Sequence, residues 1–147
     1  MHTDRVAEAS IIINNSREAV WNALTDPDAI RQYMFGTMVT TDWKEGSAIR
    51  WKGEWQGRAY EDKGTILAVV PFRRLVYTHF SPLSGQPDTL DNYHTVTIAL
   101  LPDGQRTEVT LSQDNNATDE AKAHSEENWV NMLMGLKRYV EGRRQGN

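Results

Sequence analysis

The spacing of apolar and polar positions changes period along this chain, and each change marks a predicted element. Residues 6–13 read as a first strand, with Ile11 and Ile13 on one parity and a β-branched end. Ser16 then caps a short helix whose buried face is Val20, Trp21 and Leu24. Asp26-Pro27 opens a second short helix, since Asp is a good cap and Pro is pre-set for the first helical position. Ala29, Ile30, Tyr33 and Met34 are its inner side, and Gly36 stops it. The period then drops to two. Ile49, Trp51, Gly53 and Trp55 alternate with Arg50, Lys52 and Glu54, an amphipathic strand. Gly57 or a neighbour turns the chain into a strand over residues 60–70, with a bulge or bend expected at Gly64 and an end at Pro71. Leu75, Tyr77 and His79 alternate in the next strand, residues 81–91 form a loop by composition, and residues 93–101 form the clearest strand. Pro102-Asp103-Gly104 turns it back into a strand containing Val109 and Leu111.

Residues 118–142 form one long helix. Thr118 is its N-cap, Asp119 and Glu120 suit the positive end of its dipole, and Gly142 is expected as its C′ residue. Trp129, Met132, Leu133, Leu136 and Val140 recur at steps of three and four, so the second half has an apolar stripe. The first half offers only Ala121 and Ser125 on that stripe. The order is a strand, two short helices, further strands joined by short turns, and a long helix. It implies an α+β fold, in which a curved antiparallel sheet of about six strands wraps around the C-terminal helix. A helix that fills the core at one end and offers little bulk at the other predicts a cavity beneath its opening turns.

The 147 residues fit a single domain over 1–147, and a chain of this size buries about 68–70% of its unfolded surface. The absence of cysteine excludes disulfides, thiolate metal sites and a cysteine nucleophile. A net charge of −4 with scattered basic residues gives no footprint for nucleic acid. No stretch approaches the roughly 20 apolar residues of a membrane span, and the polar residues 1–5 do not resemble a signal peptide. A cytoplasmic protein is expected, as a monomer or homodimer. No P-loop, dinucleotide fingerprint or Gly-x-Ser-x-Gly elbow occurs, so no cofactor is expected. His79, His94, Asp91 and Glu54 lack a ligand spacing, and no metal site is expected either.

The element order resembles the helix-grip fold of the START and pollen-allergen (SRPBCC) superfamily. Residues 16–27 (SREAVWNALTDP) look like its first-helix motif, in the version of the branch named for the activator of the heat-shock protein 90 ATPase. Residues 73–78 (RRLVYT) look like that branch's strand after the proline, and residues 129–141 look like its terminal helix. One departure is Tyr33, which stands where the branch usually has Trp. Chaperone activators of the branch also carry a separate N-terminal domain, which this chain is expected to lack. The branch name therefore does not transfer as an activity.

Strand parity places Trp51, Trp55, Tyr77, His79 and His94 on the inner face, and helical spacing adds Ser125 and Trp129 from above. Aromatic rings with a few polar tips are the usual lining of a small-molecule site. The leading expectation is a protein that holds a small apolar or aromatic ligand between the sheet and the first half of the terminal helix, with the 81–91 loop near the mouth. A co-chaperone-like partner of an ATPase is the first alternative. The resemblance also allows a polyketide cyclase or aromatase-like enzyme, with His79 or His94 as the acid–base group.

Overall fold

The local capping rules set the first half of the chain. A computed structural model describes residues 5–145, apart from the side chains of Trp55 and residues 143–145. Strand β1 (Ala7–Ile13) leads into helix α1 (Arg17–Leu24), where the Ser16 hydroxyl accepts from the Ala19 amide at 3.2 Å. Helix α2 (Pro27–Tyr33) starts where an Asp26 carboxylate oxygen accepts from the Asp28 amide at 2.9 Å. The two helices turn Val20, Trp21, Leu24, Ala29, Ile30 and Tyr33 inward, the faces that their spacing predicts.

Six more strands follow: β2 (Met38–Thr40), β3 (Ala48–Trp55), β4 (Arg58–Val70), β5 (Arg74–His79), β6 (His94–Asp103) and β7 (Arg106–Gln113). All seven form one antiparallel sheet in the order β1-β7-β6-β5-β4-β3-β2. Strand β2 is an addition to the expected set. With three residues, of which only Val39 is buried, it is too short to show a period. Turns are where the chemistry demands, at Gln56–Gly57 between β3 and β4 and at Gly104–Gln105 between β6 and β7, so Pro102 and Asp103 still belong to β6.

The irregularity expected at Gly64 lies further on. Ile66 pairs with Tyr77 but Ala68 pairs with Val76, so the extra residue of the bulge is Leu67. Gly64 answers a different need. A Cβ there would lie 1.7 Å from the Thr78 carbonyl oxygen, so only glycine lets β4 and β5 approach this closely.

Helix α3 (Asp119–Gln145) runs past Gly142, which stays helical instead of ending the helix. Met132, Leu133, Leu136 and Val140 pack into a core shared with Ile49, Ile66, Leu75, Val96, Ile98, Val109 and Leu111 from the sheet. The helix also covers β1, an edge strand whose outward backbone groups need partners. Glu126 accepts from the Glu8 amide at 3.0 Å, Glu141 accepts from the Asn14 amide at 2.9 Å, and the Lys137 ammonium donates to the Ile12 carbonyl at 2.8 Å. No helix among the described residues is long and apolar enough to cross a membrane.

Candidate functional site

Beneath the opening turns of α3 lies a cleft of about 460 Å³. Its floor is the inner face of the sheet at the start of β4 and β6 and the end of β5 and β7, through Tyr60, Asp62, His79, His94 and Gln113. Its roof is α3, with His124, Ser125, Asn128, Trp129, Asn131 and Met132. The turn between α2 and β2 supplies Met34, Phe35 and Thr37. Phe35 stands at this rim 80% exposed with φ of 56°. The left-handed region is costly for a bulky side chain, by about 1–3 kcal/mol, and such strain collects at functional rims.

Each floor residue is placed by register. His79 and His94 are direct cross-strand partners, with ring centroids 6.4 Å apart. Trp51 lies opposite Asp62 on the neighbouring strand, and its ring meets His79 edge-on at 5.1 Å and Tyr77 at 5.2 Å. Gly53 pairs with Tyr60, and a Cβ on Gly53 would come within 2.6 Å of the Tyr60 hydroxyl, so the glycine makes room for that ring.

The polar groups are tied into short chains. The imidazole Nε2 of His79 is 2.9 Å from Asp62 Oδ2. The Asp62 side chain is only 15% exposed, and its other oxygen is buried with no hydrogen-bond partner among the described residues. The hydroxyls of Thr37 and Tyr60 are 2.7 Å apart. His94 Nδ1 lies 2.9 Å from the Asp114 carbonyl, which can only accept, so that nitrogen donates. The Trp129 indole donates to Gln113 at 2.5 Å, and the Ser125 hydroxyl donates to the buried Asn116 at 2.9 Å.

Residues 81–93 wall the next cavity, about 280 Å³, which shares His94, Gln113, His124 and Ser125 with the first. This segment is fastened rather than loose. Asp88 pairs with Lys63 and accepts from the Tyr93 hydroxyl at 2.6 Å, and the Asn115 amide donates to the Asp91 and Tyr93 carbonyls. The hydrogen bonds from Lys63 and then Tyr93 hold the Asp88 carboxyl below its usual 3.8. Phe80 stacks on Tyr93 with centroids 5.1 Å apart.

The structure brings four of the seven expected residues, His79, His94, Ser125 and Trp129, to the cleft. Trp51 and Tyr77 sit one layer deeper, buried in the core beside a gap of about 30 Å³. Burial pushes the phenols of Tyr77 and Tyr33 well up, so both stay neutral near neutral pH. Trp55 ends β3, and its side chain lies outside the described part of the structure. Sequence reasoning missed Tyr60, Asp62, Thr37 and Asn128. The available signal was Tyr60, Asp62, Gly64 and buried Ile66 on one parity of β4, which puts a carboxylate on an inward position. No group of three or more His, Asp or Glu among the described residues could hold a metal ion.

The family model described as "Activator of Hsp90 ATPase homolog 1-like protein" matches residues 14–141. The chain belongs to that family. A protein from Cytophaga hutchinsonii, known by its solution structure, is 52% identical, with 99% of each chain covered and a TM-score of 0.84. Two more distant likenesses show the shared fold. The Aha1 dimer from Colwellia psychrerythraea is 21% identical over 92% of this chain and 96% of that one, with a TM-score of 0.72. DynU16, a protein of the dynemicin biosynthetic locus, is 18% identical over 95% of this chain and 48% of that one, with a TM-score of 0.78. None of the curated proteins matches. The helix-grip architecture is thus common to this family and to the present chain.

Proposed function

We propose that the chain binds a small ring-bearing molecule in the cleft between the sheet and the first half of α3. The observation that carries this reading is the cleft of about 460 Å³ beneath α3, at whose floor a buried Asp62 oxygen has no hydrogen-bond partner among the described residues. The volume is that of a small-molecule site. Its lining supports a ligand with apolar rings and adds polar recognition to it. Thr37, Tyr60, Asp62, Gln113, Ser125, Asn128 and the histidines make it rich in hydrogen-bonding groups, while Met34, Phe35, Trp129 and Met132 supply apolar surface. Neither Lys nor Arg is among the lining residues, which disfavours phosphates and carboxylates. The ligand is therefore a flat molecule without negative charge that carries both donors and acceptors.

Burying one ring contributes about 2–3 kcal/mol from apolar area. Two or three such groups, with the polar contacts, reach the roughly 8 kcal/mol of micromolar binding. The test is an NMR titration with neutral bicyclic ketones and phenols, read at the Trp129 indole N–H and the amides of Ser125 and Asn128. Saturable shifts centred on those groups are the expected result. Shifts confined to the outer face of the sheet, or no shifts, overturn the reading.

The family supports a second reading, a partner role on a chaperone ATPase. Phe35, 80% exposed at the rim of the cleft, and Met38, 60% exposed on β2, are the apolar groups that suit it. It predicts that Met38→Ser lowers stimulation of a chaperone ATPase while leaving small-molecule titrations unchanged.

A further inference from the structure

We propose that Asp62 and His79 form a proton-accepting dyad, and that the cleft catalyses proton transfer at a carbon next to a carbonyl group. The inference rests on the binding reading above and adds a reaction to it.

The geometry begins with the hydrogen bond. An ionised carboxylate only accepts, so His79 Nε2 carries the hydrogen and donates it to Asp62 Oδ2 across 2.9 Å. In the neutral imidazole the lone pair is then on Nδ1. No hydrogen bond within the described residues engages Nδ1, and His79 lines the cleft. The second Asp62 oxygen, buried and without a partner, leaves the carboxylate under-satisfied. The carboxylate lies against the ring edge opposite Nδ1 and fixes which nitrogen faces the cleft. The arrangement matches a general base oriented by a half-buried carboxylate. The ring of Trp51, edge-on at 5.1 Å, holds the imidazole plane.

The hydroxyl pair in the same cleft completes the chemistry. Thr37 and Tyr60, 2.7 Å apart, use one hydrogen between them. The other is left to donate outward, to an oxygen in the cleft. Tyr60 and Asp62 are two residues apart on one strand, about 6–7 Å along it. Thr37, Tyr60 and His79 line the same cleft, so one bound ketone would meet both a hydroxyl and the imidazole.

The step balances without an oxidant or reductant. His79 Nδ1 takes the proton as the C–H bond breaks. The electron pair of that bond becomes the C=C of an enolate, and the carbonyl π pair moves to oxygen. Thr37 or Tyr60 donates a hydrogen bond to that oxygen, and Asp62 faces the new imidazolium. Return of the proton to the same carbon gives exchange with solvent. Return to a conjugated carbon gives a shifted double bond.

The experiment uses 2-tetralone in deuterated buffer with the intact protein, followed by proton NMR. The wild-type chain is expected to exchange the α-hydrogens about 100-fold faster than buffer, the scale of one positioned general base. His79→Gln is expected to lose that excess, with His79→Asn as a second variant should the first fail to fold. Asp62→Asn is expected to lower the rate and, in nitrogen-15 spectra, to release His79 from its Nε2–H tautomer, a change that mere loss of packing does not produce. Exchange at the buffer rate while tetralone shifts the Trp129 indole overturns the dyad and leaves the binding reading standing. Equal exchange by wild type and both His79 variants also overturns it. Failure of tetralone to shift the indole or to exchange overturns both readings.

Discussion

Between Met132 and Val140, α3 sets Met132, Leu133, Leu136 and Val140 into the core, none more than 6% exposed. Over residues 121–131 the same helix turns Ser125, Asn128, Trp129 and Asn131 toward an open cleft. The backbone is one continuous helix through both halves. What differs is the side-chain volume offered to the sheet. Large aliphatic groups at steps of three and four fill the space and anchor the helix. Ser125, Asn128 and Asn131 leave it partly vacant, with Trp129 tied by its indole to Gln113, and the vacancy is held open because the other half is fixed. A site can be built by withholding bulk from part of an element whose remainder provides the stability.

The sharpest way to break this division is to weaken the anchoring half. Leu133→Ala removes a fully buried side chain, and equilibrium urea unfolding should show a loss of about 2–5 kcal/mol. Thr118→Ala removes the cap that accepts from the Ala121 amide at 3.0 Å. It should cost about 1 kcal/mol, with amide exchange rising over residues 120–124 and little changed over 132–140. Asn128→Ala, on the exposed cleft half, should change stability by less than about 0.5 kcal/mol. The same variant should weaken a bound ketone or phenol probe by about fivefold, the scale of one hydrogen bond. A loss of stability as large as that of Leu133→Ala would show that the two halves do not divide their roles.

The smallest expected effect is at the segment of residues 81–93. The Asp88 carboxyl is held down by Lys63 and Tyr93, so its folded value lies below its unfolded 3.8. A depressed carboxyl stabilises above the unfolded value and loses that contribution as pH falls through the folded one. The segment should therefore stay fastened around neutral pH and loosen only in acid below 3.8, seen as broadened resonances of residues 82–92. Asp88→Asn should show that loosening at neutral pH.

Much of this architecture was legible in advance because its signals are local. Ser16 and Asp26 cap helices wherever the chain places them, and the apolar stripe from Trp129 to Val140 needs only helical spacing to be read. The expectation of a cavity under the first half of α3 came from the same counting. The parity of Leu75, Tyr77 and His79 put them on one face, but parity carries no depth. It could not tell that Trp51 and Tyr77 lie in the core layer while His79 reaches the cleft. The polar groups of the cleft come from four strands, the turn between α2 and β2, and helix α3, and no sequence window contains them together.

The sequence by itself determined which residues cap, alternate and pack, because those choices rest on neighbours within a few positions. Only the tertiary structure decided that Asp62 meets His79. The extra residue at Leu67 switches the inward parity of β4, so that Ile66 and Val69 both face the core side, each paired with an inward residue of β5. Counting back from Val69 without the bulge would send Asp62 to the outer face. Pairing with β5 sets the position of that bulge, and register between strands is a property of two segments at once. The hydrogen bond of Asp62 to His79, like that of Thr37 to Tyr60, exists only after the sheet has closed.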